Sequence, residues 1–145
     1  MEIVNATLFD LTALRRLEKI CFEKDAWPLI DLMAVLTFPE VIRLKAVEAD
    51  QKMVGFVAGD PRPREGWGWI ATIGVDPSYR RRGIGLSLLH ACEARLNVPR
   101  ARLTVRLSNS EAISMYQRDG YQTIDLWKGY YNDGEDAQLM EKSLR

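Results

Sequence analysis

A mixed α/β fold in one domain, residues 1–145, is predicted: a sheet of about seven strands flanked by about four helices. Three observations predict it. Strand-like runs come first with two helical segments between them, strand and helix then alternate, and the chain closes on a β pair. An apolar run at 67–75 passes through a basic, glycine-containing turn directly into a helical pattern. No internal repeat, low-complexity tract or linker divides the 145 residues.

Ile3–Ala6 reads as a short strand. Thr7 and Asp10 form a capping box for a helix with Leu11, Leu14, Leu17 and Cys21 at helical spacing. Residues 23–27 interrupt it, and Pro28 suits the first position of a second helix running to about Leu36. Val41–Ala49 and Met53–Gly59 are strand-like around Asp50-Gln51, a hairpin signature. Asp60–Gly66, with two prolines, is expected to be a connecting loop. Trp67–Val75 is a strand and Ile84–Leu96 a helix, with Leu89, Cys92 and Leu96 on one stripe. Ala101–Leu107 alternates, with Leu103, Val105 and Leu107 facing one way and Arg102, Thr104 and Arg106 the other. Ser108 to Glu111 reads as a capping box for a helix through about Arg118, which Gly120 stops. Tyr121–Trp127 and Ala137–Leu144 complete the strands.

Twenty basic residues balance twenty acidic ones, so general attraction to nucleic acid or an anionic membrane is not implied, and anion binding must be local. The cluster Arg80-Arg81-Arg82 is therefore read as a ligand site. Cys21 and Cys92 lack Cys-x-x-Cys spacing and read as reduced, packed thiols of a cytoplasmic protein. The sole histidine, His90, lies two residues from Cys92 on a different helix face, so the two form no dyad, and no metal site is expected. The apolar runs are far short of the roughly 20 residues that span a bilayer. The N-terminus lacks the basic and apolar regions of an export signal.

The stretch Ile73-Gly74-Val75-Asp76-Pro77-Ser78-Tyr79-Arg80-Arg81-Arg82-Gly83-Ile84-Gly85 carries the chemistry. Successive backbone N–H groups in such a turn, backed by the positive end of the next helix, bind phosphate, and arginines add charge-assisted hydrogen bonds. It is neither a P-loop, which needs Gly-Lys-Ser/Thr, nor a dinucleotide fingerprint, which wants glycine where Arg80 stands. The spacing Arg80-x-x-Gly83-x-Gly85 resembles the acetyl-CoA pyrophosphate loop of the GCN5-related N-acetyltransferases. Val105 to Ser108, followed by Asn109-Ser110-Glu111-Ala112-Ile113-Ser114-Met115-Tyr116 and then Gly120-Tyr121, resembles the second half of that family's site. Gly129–Ala137, with Tyr130-Tyr131 and Gly134-Glu135-Asp136, is similar to a segment of the protein N-terminal acetyltransferases. Cys21–Pro28 is similar to the peptide-side loop of the bacterial ribosomal-protein alanine acetyltransferases.

The resemblance implies a mostly antiparallel sheet and acetyl-CoA as acetyl donor. It assigns Ile73, Gly74 and Val75 to the pantetheine arm, and Arg80, Arg81, Arg82, Gly83, Ile84 and Gly85, with Ser87 beside them, to the pyrophosphate. Asn109 matches a position near the thiol end of the cofactor, Tyr116 the general acid that also meets the cofactor. Phe22, Trp27, Tyr130 and Tyr131 fall in the segments that line the acceptor groove. For an isolated reading of the residues, Asn109 could equally be a plain helix cap, and Tyr116, Phe22 and Trp27 could be core aromatics.

Amide formation from an amine and a thioester needs a neutral amine, a stabilised oxyanion and a proton for the departing thiolate. Donors for the oxyanion are expected from backbone N–H groups of the 67–75 strand, with Gly74 easing a distortion. The departure from the family pattern is Thr104, where bacterial alanine acetyltransferases carry a glutamate taken to be the base. Threonine cannot act as a base near neutral pH, which leaves Glu23, a water near Thr104, or Glu135. The expected function is acetyl transfer to the α-amine of a protein or peptide N-terminus, of the ribosomal-protein alanine type. The alternatives are a small-molecule amine acetyltransferase and a CoA-binding protein without turnover.

Overall fold

The computed structural model describes residues 1–22 and 27–145. Hydrogen-bonded strands run in the order β1 (Glu2–Asn5), β2 (Ile42–Val47), β3 (Met53–Arg62), β4 (Trp67–Val75), β5 (Arg100–Arg106), β7 (Ala137–Ser143), β6 (Gln122–Trp127). Four α-helices lie among the described residues: α1 (Leu11–Cys21), α2 (Leu29–Thr37), α3 (Ile84–Leu96) and α4 (Ser110–Arg118). The β1–β2, β2–β3, β5–β7 and β6–β7 pairs are antiparallel and β4–β5 is parallel, giving the predicted mixed, mostly antiparallel sheet. The chain forms two compact units, Met1–Pro61 with Ile70–Asn97, and Arg62–Trp69 with Val98–Arg145.

In the first unit the Thr7 N–H donates to Asp10 Oδ2 at 2.8 Å, the predicted box, and a short 3₁₀ turn leads into α1. Leu14 and Leu17 of α1 pack with Leu32, Val35 and Leu36 of α2 and with Met53, Phe56 and Ala58 of β3. Trp27 lies against this core. Two glycines of β3 seat α3. A Cβ on Gly55 would stand 2.8 Å from Leu88, and one on Gly59 would stand 2.6 Å from the Cys92 sulfur, so the helix approaches the sheet more closely than any side chain there would allow.

β3 is longer than the sequence suggested: it runs through Pro61 to Arg62, and the connection shrinks to the turn at 63–66. The physical reason is one-sided pairing. β2 pairs with β3 only as far as Gly59, so beyond that residue the strand has an edge where a missing N–H costs no ladder bond. Gly66, at φ +86°, closes the turn, its N–H donating to the Arg62 carbonyl at 3.1 Å.

In the second unit Ala101, Leu103 and Val105 of β5 are buried, as the alternation requires, but the predicted third member, Leu107, is exposed because the strand ends at Arg106. The cap of α4 is Asn109 and not Ser108: Asn109 Oδ1 accepts the Ala112 N–H at 3.2 Å, while the Ser108 N–H is drawn to Glu135 at 2.8 Å. Gly120, at φ +104°, ends the helix, with the Tyr121 N–H donating to the Tyr116 carbonyl at 2.9 Å.

Candidate active site

The first unit brings together Ile73, Gly74, Val75, the turn from Arg80 to Gly85, Ser87, Phe22 and Trp27. Asp76 shapes the approach to the turn. It is buried, its Oδ1 accepts the Ser78 N–H at 2.9 Å, and its N–H donates to the Val54 carbonyl at 2.8 Å. The turn itself is held in an uncommon conformation, with Arg81 at φ +66° and Gly83 at φ +79°. Left-handed residues alternating with ordinary ones turn successive N–H groups toward one point, and α3 begins immediately after, at Ile84.

Arg80, Arg81 and Arg82 are exposed, and none forms an ion pair among the described residues. Arg80 Nε donates to the Val75 carbonyl at 3.2 Å, and Arg82 lies over the Tyr79 ring, 5.0 Å from its centroid. A Cβ on Gly83 would meet nothing within 4 Å, so the glycine is there for its backbone angle and for open space in front of it. These features fit a diphosphate ester such as the pyrophosphate of CoA. Ser87 is exposed one turn into α3, and its N–H donates to the Gly83 carbonyl at 3.0 Å.

Gly74 is small because α1 ends against it. A Cβ there would lie 3.2 Å from both the Cys21 sulfur and the Phe22 ring. Phe22 is thus fixed on the strand assigned to the pantetheine arm. Glu23, the predicted base, lies outside the described residues.

A carboxyl that sequence reading missed lies at this junction. Glu18 of α1 is 3% exposed and borders a cavity of about 10 Å³ lined also by Leu14, Leu17, Phe22, Phe56, Thr72 and Gly74. Thr72 Oγ1 donates to Glu18 Oε1 at 3.3 Å, and Oε2 has no hydrogen-bond partner among the described residues. Burial pushes the carboxyl from its usual 4.5 up to about 7, with the Thr72 hydrogen bond pulling modestly the other way. The sequence gives only its position, four residues after Leu14 and three before Cys21, which does not by itself mark a charged side chain as buried.

A measurable consequence concerns stability. The folded protein holds the Glu18 proton up to about pH 7, whereas the unfolded chain releases it near 4.5. Folding therefore takes up a proton between these values, and the stability from this group falls as pH rises through the window. The full cost above pH 7 is about 3 kcal/mol. Glu18→Gln is expected to melt higher than wild type at alkaline pH and to lose that advantage toward pH 4.5, as thermal unfolding across pH would record.

In the second unit Tyr116 is buried on α4, its ring edge-on to Tyr121 with centroids 5.7 Å apart. Burial, with a smaller contribution from Tyr131, pushes its hydroxyl up to about 12, so it is fully protonated at neutral pH. Asn109 is exposed, and with Oδ1 engaged in the cap its amide N–H₂ is the group left to donate. Tyr130 is 52% exposed and packs on Trp127 and Tyr131, with centroids 5.4 and 5.1 Å away, while Arg106 lies over the Tyr131 ring at 4.2 Å. Glu135 is tied to Arg106 at 2.7 Å and to Ser108, contacts that hold its carboxyl below the usual range. A carboxylate so paired is a poor proton acceptor. Thr104 stands opposite Leu139 of β7.

Residues 11–121 match the acetyltransferase (GNAT) family. The N-alpha-acetyltransferase of Sulfurisphaera tokodaii is 35% identical over 67% of this chain, and the match spans 66% of that relative, just under two thirds of its length. The N-terminal acetyltransferase A complex catalytic subunit NAA10 of Arabidopsis thaliana is 29% identical over 99% of this chain and 78% of its own. The ribosomal-protein-S18-alanine N-acetyltransferase of Escherichia coli superposes with a TM-score of 0.88 at 26% identity, over 99% of this chain and 93% of the other. With a family match that runs from the start of α1 to the residue before β6, the chain belongs to the GNAT acetyltransferase family.

Proposed function

We propose that the chain transfers the acetyl group of acetyl-CoA to the α-amine of a protein or peptide N-terminus, in the cytoplasm, with the ribosomal-protein alanine type as its nearest description. The observation that carries the reading is the Arg80–Gly85 turn, with two left-handed residues, three exposed arginines and a helix start directly behind it. The α-amine as acceptor is supported by the names of the relatives and by the Tyr130-Tyr131 segment. It is also supported by chemistry: an α-amine titrates at about 7.7–8.0 and is appreciably neutral near physiological pH, whereas a lysine at about 10.4 needs a strong base.

Acetyl-CoA supplies an activated thioester. Arg80, Arg81 and Arg82 with the amides through Gly85 hold its diphosphate, and the peptide groups of Ile73, Gly74 and Val75 align its arm. Phe22 and Trp27 in the first unit, and Tyr130 and Tyr131 in the second, are the side chains assigned to the peptide. Tyr116 gives the proton that the departing sulfur takes up. Because the phenol is a weak acid, transfer coincides with cleavage of the carbon–sulfur bond, when the sulfur is most basic.

The test is turnover of short peptides with acetyl-CoA, followed by thiol release and by mass spectrometry of the product. Acetylation at the α-amine of Ala- and Ser-starting peptides, and none when that amine is blocked, is the expected result. Turnover confined to polyamines or amino-sugars would move the acceptor to small molecules. CoA binding without turnover on any amine would leave a binding protein.

A further inference from the structure

We infer that Glu18, acting through a single water in the cavity beside Gly74, accepts the proton that the acceptor amine gives up, the role that Thr104 cannot fill. The inference rests on the acetyl-transfer reading above. Its foundation is geometric. A carboxyl 3% exposed has one oxygen held by Thr72 and the other, Oε2, without a partner among the described residues, beside a cavity of about 10 Å³. A volume of that size holds about one water, which needs polar partners, and Oε2 supplies one. A buried carboxyl oxygen left unpartnered is costly, and such groups persist where function uses them.

The cavity wall includes Thr72 and Gly74, the latter within the strand segment assigned to the pantetheine arm, and the rest of the wall beside Glu18 is apolar: Leu14, Leu17, Phe22 and Phe56. On its own helix Glu18 is three residues from Cys21, whose thiol donates to the Val75 carbonyl at 3.3 Å. Arg80 and Asp76, at the end of β4, act on Cys21, and Arg16 lies 3.8 Å from Asp76. From β4 itself the group facing Glu18 is the Thr72 hydroxyl. A carboxyl held near neutrality by this setting is matched to an α-amine in a way that an ordinary surface carboxylate is not.

The step balances within the groups named. The amine nitrogen forms a bond to the thioester carbon, and its proton passes through the water to Glu18 Oε2. The carbon–sulfur bond breaks and the sulfur leaves with the Tyr116 proton. Glu18 then releases its proton to solvent and Tyr116 regains one, so that amine and thioester have become amide and thiol.

The experiment compares wild type, Glu18→Gln and Thr72→Val on an Ala-starting peptide. It uses pH–rate profiles, calorimetric CoA affinity and infrared titration of carboxyl groups in the free protein. The wild-type profile is expected to fall on the acid side with a midpoint at about 7, and the infrared band of a protonated carboxyl to vanish over the same range. Glu18→Gln should fold, bind CoA as wild type does, lack that band and lose kcat by roughly 10²-fold. Thr72→Val removes a hydrogen bond that favours the carboxylate, so its acid limb should move to higher pH, which a limb set by the substrate amine would not do. Wild-type rates and limb in Glu18→Gln, or a limb unmoved in Thr72→Val, would overturn this role and leave acetyl transfer standing. Absence of wild-type turnover on every peptide would overturn both.

Discussion

Gly83→Val is expected to abolish CoA binding in a protein that still folds. At φ +79° the backbone is left-handed, which costs a β-branched residue on the order of 1–2 kcal/mol or drives the turn out of its conformation. Nothing in the protein stands within 4 Å of the new Cβ, so the fold has no steric reason to fail. The loss falls on the ligand. A valine at this point either occupies the space a phosphate must enter or turns the neighbouring N–H groups away from it, and both effects strike the interaction that anchors the cofactor. Gly83→Ala should fall between, since it adds less bulk at the same backbone angle. Isothermal calorimetry with CoA, paired with thermal melts, checks the result. Unchanged affinity in a folded Gly83→Val protein would remove the turn from the cofactor site.

Tyr116→Phe is expected to leave CoA affinity and the fold intact while lowering kcat by something on the order of 10²-fold. The ring packs edge-on against Tyr121, and phenylalanine keeps that contact. What disappears is a proton donor that is protonated at any working pH, because burial has pushed its hydroxyl up to about 12. The two changes separate two functions, since Gly83→Val removes binding and Tyr116→Phe removes chemistry after binding. Single-turnover measurement isolates the chemical step, and a wild-type rate there in Tyr116→Phe would exclude the phenol as the acid.

The strands and helices were legible where the local pattern and the tertiary need coincide. The stripe Leu89, Cys92, Leu96 gave α3 its bounds, and the alternation through Leu103 and Val105 gave β5. Pro61 misled because the cost of a missing N–H depends on whether a neighbour strand still runs alongside, and that is not a local property. The cap of α4 shifted from Ser108 to Asn109 because both side chains can cap, and Glu135, far along the chain, draws off the Ser108 N–H. The left-handed, arginine-bearing turn proposed to hold the diphosphate was legible because it is contiguous. Glu18 was not, because its burial is made by Phe56, Thr72 and Gly74, whose sequence distance hides them from any window around α1. A charged residue on a helix is ordinarily solvated, and only β3 and β4 reveal that this one is not.

The thiol of Cys21 has a bearing on chemoselectivity. A cysteine beside a bound thioester is a rival acceptor, since thiolate attack on an acyl thioester exchanges one sulfur for another and would leave the acetyl group on the protein. Cys21 stands 3.2 Å from where a Gly74 side chain would begin, yet its hydrogen is given to the Val75 carbonyl at 3.3 Å, and burial raises its pKa above the ordinary value. The nucleophile is the thiolate, and little of it forms at neutral pH in this setting. With the donor arm on β4 as proposed, it is burial, against the pull of the Arg80 guanidinium, that keeps this thiol protonated and leaves nitrogen as the acceptor.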